Sequence, residues 1–132
     1  MTSSGEWQVI DRFFSQLGAV RTDVLLGIGD DAALLRPAAD MELAQTTDSL
    51  VEQVHFLPGA PPRSLGHRLL AVNLSDLAAM GATPAWALLS LTLPSVDEAW
   101  LAGFAAGLGQ LARLHEVALV GGNLSRGPLN LG

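Results

Sequence analysis

Between Ala85 and Leu93 the chain reads Ala-Trp-Ala-Leu-Leu-Ser-Leu-Thr-Leu, with large apolar side chains at both parities of the two-residue strand period. Successive side chains of a strand point to opposite faces. Such a strand needs both faces covered, or one face covered and a partner on the other. Its neighbours supply helices to cover it. Ser64 to Met80 has helical spacing and is closed by Gly81 and Pro84, as expected of a helix end. Ser95 with Glu98 has the form of a capping box, and Trp100, Phe104, Leu108, Leu111 and Leu114 mark a third helix behind it. Val117 to Val120 is then a strand running into Gly121-Gly122.

Upstream, Ser3 with Glu6 forms another capping box, and Trp7, Ile10, Phe13, Phe14 and Leu17 predict a first helix over roughly 5 to 17, stopped by Gly18. Short apolar runs at Val24 to Ile28 and Ala32 to Leu35, split by Gly29-Asp30-Asp31, read as strands. So does Glu42 to Thr47, ending at Asp48, and Pro58 to Pro62 is a turn-rich connector. Pro128 to Gly132 begins another alternating strand, which suggests a fragment boundary. The order of elements predicts an α/β (α+β) fold, a mixed sheet with helices packed on one face. With 132 residues, 49% hydrophobic and 15% charged, one core and one domain, residues 1 to 132, are expected.

Composition removes several functions. All seven basic residues are arginine, and lysine is absent. A P-loop, a protein-kinase site and a pyridoxal Schiff base each need a lysine, so none can operate within this segment. A formal net charge of −6 argues against a nucleic-acid partner. With no cysteine, disulfides and thiolate metal sites are excluded, and any metal must sit on oxygen or imidazole. The first residues lack the basic and apolar regions of a signal peptide, and no stretch approaches the ~20 apolar residues of a membrane span. A cytoplasmic location is expected.

Acidic residues near strand ends are the candidates for chemistry, because loops there collect binding groups. Asp30 and Asp31 fit either a solvated turn or a cation site. Thr46-Thr47-Asp48 places two hydroxyls and a carboxylate together, as an Asx turn, a helix cap or a ligand set. Asp76 shares a helical face with Leu69, Val72 and Met80, which points it toward the core. An ionised carboxylate buried there needs a partner, which could be Arg68, backbone donors or a metal. Separately placed hard-oxygen ligands suit Mg²⁺. Magnesium on carboxylates commonly bridges to substrate phosphates.

In order along the chain, Gly27-Ile-Gly-Asp-Asp-Ala-Ala, Thr46-Thr-Asp-Ser-Leu-Val, Val54-His-Phe, Leu70-Ala-Val-Asn-Leu-Ser-Asp-Leu-Ala-Ala-Met-Gly-Ala-Thr-Pro and Gly121-Gly-Asn-Leu-Ser-Arg-Gly-Pro resemble the successive motifs of the thiamine-monophosphate kinase family. The Asn-Leu-Ser-Asp-Leu-Ala-Ala-Met-Gly block is the most specific. It is also similar to the wider superfamily of aminoimidazole ribonucleotide synthetase, selenophosphate synthetase and a hydrogenase maturation protein, while His-Phe and Arg-Gly-Pro favour the thiamine-phosphate branch.

The resemblance implies ATP-dependent phosphorylation of thiamine monophosphate to thiamine diphosphate with several Mg²⁺ ions. By motif, Asp31, Thr46, Thr47, Asp48, Asp76 and Asn123 would be metal ligands. Gly122 and Asn123 would lie against nucleotide phosphates, and His55 would contact the thiamine phosphate. Taken alone, His55 also fits a structural histidine. Asp30 and Arg126 are secondary candidates, Arg126 either reaching a phosphate or forming a surface salt bridge. Asn123 stands where the family often has aspartate; its oxygen can ligate magnesium but brings no charge. The resemblance also implies a homodimer whose sheets close into a barrel, and a carboxy-terminal domain absent here, without which the segment would not turn over. Two rivals are a sister enzyme such as selenophosphate synthetase and a non-catalytic dimerisation module.

Overall fold

The computed structural model describes residues 3–132, with side chains described from Gly5 onward. The expected Ser3–Glu6 capping box, and the reading of the first residues as lacking a leader, lie outside them. Helix α1, Ser3–Val9, continues as a π-helical turn over Ile10–Phe14, ending earlier than its apolar spacing predicts. Beyond it come β1 (Val24–Leu26), β2 (Leu34–Leu35), β3 (Leu50–Val51), α2 (Pro62–Ala79), β4 (Trp86–Leu93), α3 (Glu98–Leu114), β5 (Ala118–Arg126) and β6 (Asn130–Leu131). The main sheet has the order β3-β6-β4-β5, with β4 and β5 parallel and the other pairs antiparallel. β1 and β2 form a separate antiparallel pair. The expected mixed α/β architecture is present.

Parallel pairing of β4 with β5 requires a crossover, and α3 provides it. Its N-cap is Asp97, whose carboxylate accepts the Trp100 N–H at 3.1 Å. The sequence had pointed to Ser95; the carboxylate one position before Glu98 lies within reach of the unpaired first-turn amides, and Ser95 does not. At α2, Pro62 occupies the first turn, where a missing N–H costs nothing.

Along β4 the inward set Leu89, Leu91 and Leu93 is buried, while Leu88 is 69% exposed. One sheet face is therefore covered by α2 and α3, and the other, which carries Leu88, is open. Phe104 is fully buried at the centre of the core, stacked on Trp100 at 5.1 Å between centroids and edge-on to Phe14 at 6.4 Å. Each such side chain contributes about 1.5–3 kcal/mol by leaving water.

Two expectations fail. Glu42 to Thr47 forms no strand and is exposed throughout. It has alternating side chains, but among the described residues no neighbouring strand takes up its amides and carbonyls, and a ladder cannot form from one side. Asp76 is exposed and does not point into the core. The buried residues of α2 are Leu65, Gly66, Leu69 and Leu70, all in its first half. The second half runs past the region that α3 covers, so the face shared by Val72, Asp76 and Met80 meets solvent, with Met80 78% exposed.

The stretch between α1 and β1 is held by side chains. Arg21 donates through Nε and Nη2 to the two carboxylate oxygens of Asp23 at 3.0 and 2.8 Å and through Nη1 to the Glu116 carbonyl at 2.9 Å. Trp86 Nε1 donates to Asp23 at 3.0 Å, and the guanidinium lies 5.8 Å from the Trp86 ring centroid. The bond from Arg21, with a smaller contribution from Trp86, holds the Asp23 carboxyl below the usual carboxylate range against the opposing effect of burial. A lowered native pKa stabilises the fold above the unfolded value of about 4, and the gain is lost as pH falls through the native value. Asp23→Asn is therefore expected to lower the thermal midpoint at pH 7, with the gap to the parent chain closing on acidification. Melts from pH 7 to pH 2 measure it; a gap constant over that range would refute the assignment.

Candidate functional site

Two groups of the expected residues come together. Thr46, in the exposed segment before β3, donates through Oγ1 to Asp76 Oδ2 at 3.4 Å across thirty residues of sequence. That length is at the weak end for a hydroxyl bond, so the pair is adjacent without being closed. Separately, Asp30, Gly122 and Asn123 line one cleft of about 180 Å³ together with Trp7, Ile10, Phe14 and Ile28. The cleft is smaller than the several hundred Å³ typical of a complete small-molecule site.

The remaining acidic candidates are exposed on loops. Asp30 Oδ1 accepts the Asp31 N–H at 2.8 Å, and Asp48 Oδ1 accepts the Ser49 N–H at 2.8 Å. Both are local turn contacts. They leave Asp31 as the member of its pair with both carboxylate oxygens uncommitted. Among the described residues no three His, Asp or Glu side chains gather where they could hold a metal ion, so Asp31, Asp48 and Asp76 do not form a ready cage. Like charges do not collapse together without a cation between them.

The donor chemistry nonetheless fits a hard dication. Among the described residues the ion pairs are Arg12–Glu98 at 2.7 Å and Arg21–Asp23 at 2.8 Å. Asp30, Asp31, Asp48 and Asp76 thus have no arginine neutralising them. Arg68 does not serve Asp76, as one reading of the sequence allowed; its Nη1 donates to the His55 carbonyl at 2.7 Å. Arg126 is exposed at the end of β5 without the surface salt bridge considered for it, so its guanidinium is uncommitted to any carboxylate among the described residues.

His55 lies in the turn after β3. Its Nδ1 accepts the Val51 N–H at 2.9 Å and its own N–H donates to the Val51 carbonyl at 2.8 Å. An accepting Nδ1 places the neutral ring's proton on Nε2. Gly122 has a structural reason to be glycine. Its φ is +149°, and a Cβ there would come within 1.8 Å of the Leu89 carbonyl oxygen on β4. The glycine is required by the strand pairing whether or not a phosphate approaches it.

The apolar wall of the cleft was not foreseen. Trp7, Ile10 and Phe14 are legible as a helical stripe, but periodicity only says that such a stripe is covered. Trp7 is half exposed at the cleft, a large side chain left unburied on an otherwise buried face.

Residues 29–131 match the family described as AIR synthase related protein, N-terminal domain. The chain is 52% identical over 127 residues to the thiamine-monophosphate kinase of Escherichia coli K12, covering 96% of this chain and 39% of that protein. To the Bacillus subtilis strain 168 enzyme of the same name it is 40% identical over 104 residues, 77% of this chain and 32% of that one. Among solved structures, thiamine-monophosphate kinase from Stenotrophomonas maltophilia K279a matches with a TM-score of 0.79 at 48% identity, over 94% of this chain and 38% of that chain. AaThiL complexed with AMPPCP and TMP matches with a TM-score of 0.63 at 36% identity, over 65% and 28%. The chain spans about two fifths of the length of the first of these relatives. With most of its length matched, this chain belongs to the AIR synthase related family through that family's N-terminal domain.

Proposed function

We propose that residues 1–132 are the amino-terminal, ATP- and magnesium-binding domain of a kinase that phosphorylates thiamine monophosphate to thiamine diphosphate, the carboxy-terminal domain lying outside this chain. The observation that carries the reading is the meeting of Thr46 with Asp76, two hard-oxygen donors brought together by the fold with no basic partner among the described residues. The names of the relatives support the activity, and a related structure complexed with AMPPCP and TMP supports ATP and the phosphorylated acceptor as its substrates.

In this reading Asp31, Thr46, Thr47, Asp48, Asp76 and the carbonyl of Asn123 hold Mg²⁺, with Asp30 in a secondary place. Bound magnesium supplies charge neutralisation on phosphate oxygens, a task for which this segment has no lysine. Gly122 and Asn123 lie along the nucleotide phosphates. His55 donates Nε2–H to the acceptor phosphate, and Arg126 offers its fork to a phosphate oxygen. An acceptor oxygen bonds to the γ-phosphorus as the bond from that phosphorus to the β-phosphate oxygen breaks, and ADP leaves. That acceptor oxygen is already anionic, so no side chain needs to remove a proton. The residues hold two anions in line, and positioning provides most of the acceleration.

The open face of β4 with its exposed Leu88, and the outer edge of β5 beyond Leu119, where the bridge from Gly18 to Ala118 ends, support pairing with a second copy, the two sheets closing into a barrel. Among the described residues no helix is long and apolar enough to cross a membrane; as an ATP-consuming enzyme the protein would work in the cytoplasm.

The test is ADP release by the full-length protein with ATP, Mg²⁺ and a panel of phosphorylated acceptors. Thiamine monophosphate alone should stimulate release. Equal stimulation by an unrelated phosphorylated acceptor, or none by thiamine monophosphate, would sink the reading.

A further inference from the structure

We infer that Arg68 is a positioning residue for the acceptor phosphate, acting through His55. The inference rests on the assignment of His55 to that phosphate and adds a residue to it. The turn from Glu52 to Phe56 is tied at several points. Val51 N–H occupies His55 Nδ1, and His55 N–H returns to the Val51 carbonyl. Gln53, with φ at +68°, donates its N–H to the Phe56 carbonyl at 2.7 Å, and buried Phe56 anchors the far end. These contacts fix which ring nitrogen carries the proton and hold both ends of the turn, with Glu52 N–H also donating to the Leu129 carbonyl at 3.4 Å. No hydrogen bond among them ties the turn to α2.

Arg68 supplies that tie. It stands on α2 between buried Leu65 and Leu69, so its backbone is held by the core while its side chain is exposed. Its bond to the His55 carbonyl, at 2.7 Å, connects the helix to the residue that bears the imidazole. Among the described residues no carboxylate competes for this guanidinium. An exposed arginine committed to a loop carbonyl forgoes the stronger bidentate pair with a carboxylate, which the acidic surface of this chain could readily have offered. The arrangement leaves Nε2–H of His55 facing outward from a turn registered on α2, the helix that also carries Asp76. Acceptor-phosphate and metal-binding groups are thereby set on one rigid element.

The test is steady-state kinetics of the full-length protein carrying Arg68→Met, Arg68→Lys, His55→Gln and the double substitution Arg68→Met with His55→Gln. Losing a bond to a charged donor corresponds to roughly a tenfold change. Arg68→Met should therefore raise KM for thiamine monophosphate about tenfold, with KM for ATP unchanged. Arg68→Lys should restore most of the loss. In the His55→Gln background, Arg68→Met should add nothing. A further tenfold rise in that background would overturn the inference, because Arg68 would then act without His55. So would an equal rise in KM for ATP. If His55→Gln raises KM for the acceptor and Arg68→Met does not, this inference alone fails; if His55→Gln leaves that KM unchanged, the assignment of His55 fails as well.

Discussion

Gly107→Ala is expected to lower the stability of the domain by about 2 kcal/mol. A Cβ at Gly107 on α3 would stand 2.0 Å from the carbonyl oxygen of Arg63 on α2, and one at Gly66 on α2 would stand 2.2 Å from the carbonyl oxygen of Phe104 on α3. The two helices cross backbone against backbone. Neither obstacle can rotate away, so the helices must separate and lose contacts on both sides of the crossing. Overpacking of this kind costs up to about 3 kcal/mol, and alanine's better helix propensity offsets about 1 of it. If the two costs add, the double substitution Gly66→Ala with Gly107→Ala should remove about 4 kcal/mol of a total stability of roughly 5–15 kcal/mol, leaving the domain folded but with a much lower thermal midpoint than either single variant. Gly27→Ala is the control, since a Cβ there meets only Val24 Cγ1 at 3.6 Å. Thermal melts followed by circular dichroism decide the matter; a Gly107→Ala midpoint equal to that of Gly27→Ala would show that the crossing is looser than described.

Asp76→Asn should act in the opposite sense. Mg²⁺-dependent binding of a non-hydrolysable ATP analogue by the full-length protein should weaken by about 100-fold, the scale on which metal affinity responds even to changes beyond the direct ligands. Stability without metal should stay level or rise slightly. Asp76 is exposed and has no basic partner among the described residues, and removing one negative charge from a chain of net charge −6 relieves repulsion. A merely structural carboxylate would show the reverse pattern, lost stability with unchanged binding. Calorimetric titration with Mg²⁺ and the analogue, beside a melt without metal, separates the two. Unweakened binding in Asp76→Asn would remove the foundation of the magnesium site.

Much of the fold was legible locally. α2, α3 and β4 are long periodic segments, and their observed bounds lie within one or two residues of the bounds the pattern predicts, because burial of one face selects the pattern. Glu42 to Thr47 has a strand-like composition too, yet strand formation depends on a neighbour, and nothing within a segment states whether a neighbour is near. The close crossing at Gly66 and Gly107 was equally silent. A glycine in a helix reads as a weak point until another backbone is seen pressed against it.

The same division holds at the candidate site. Residue types alone exclude lysine- and thiolate-based chemistry and leave hard-oxygen donors, since those limits follow from which functional groups exist in the chain. Ordered motifs point to the family, and in the proposed reading they single out the carboxylates that would hold magnesium. Whether Asp76 is buried depends on how far α3 extends along α2, which no spacing within α2 encodes. The partner of Arg68 likewise depends on where the turn after β3 comes to rest. Local covalent order determines the elements and the available chemistry; contacts between residues distant in sequence, such as Thr46 with Asp76, exist only once the packed core has fixed the distances between elements.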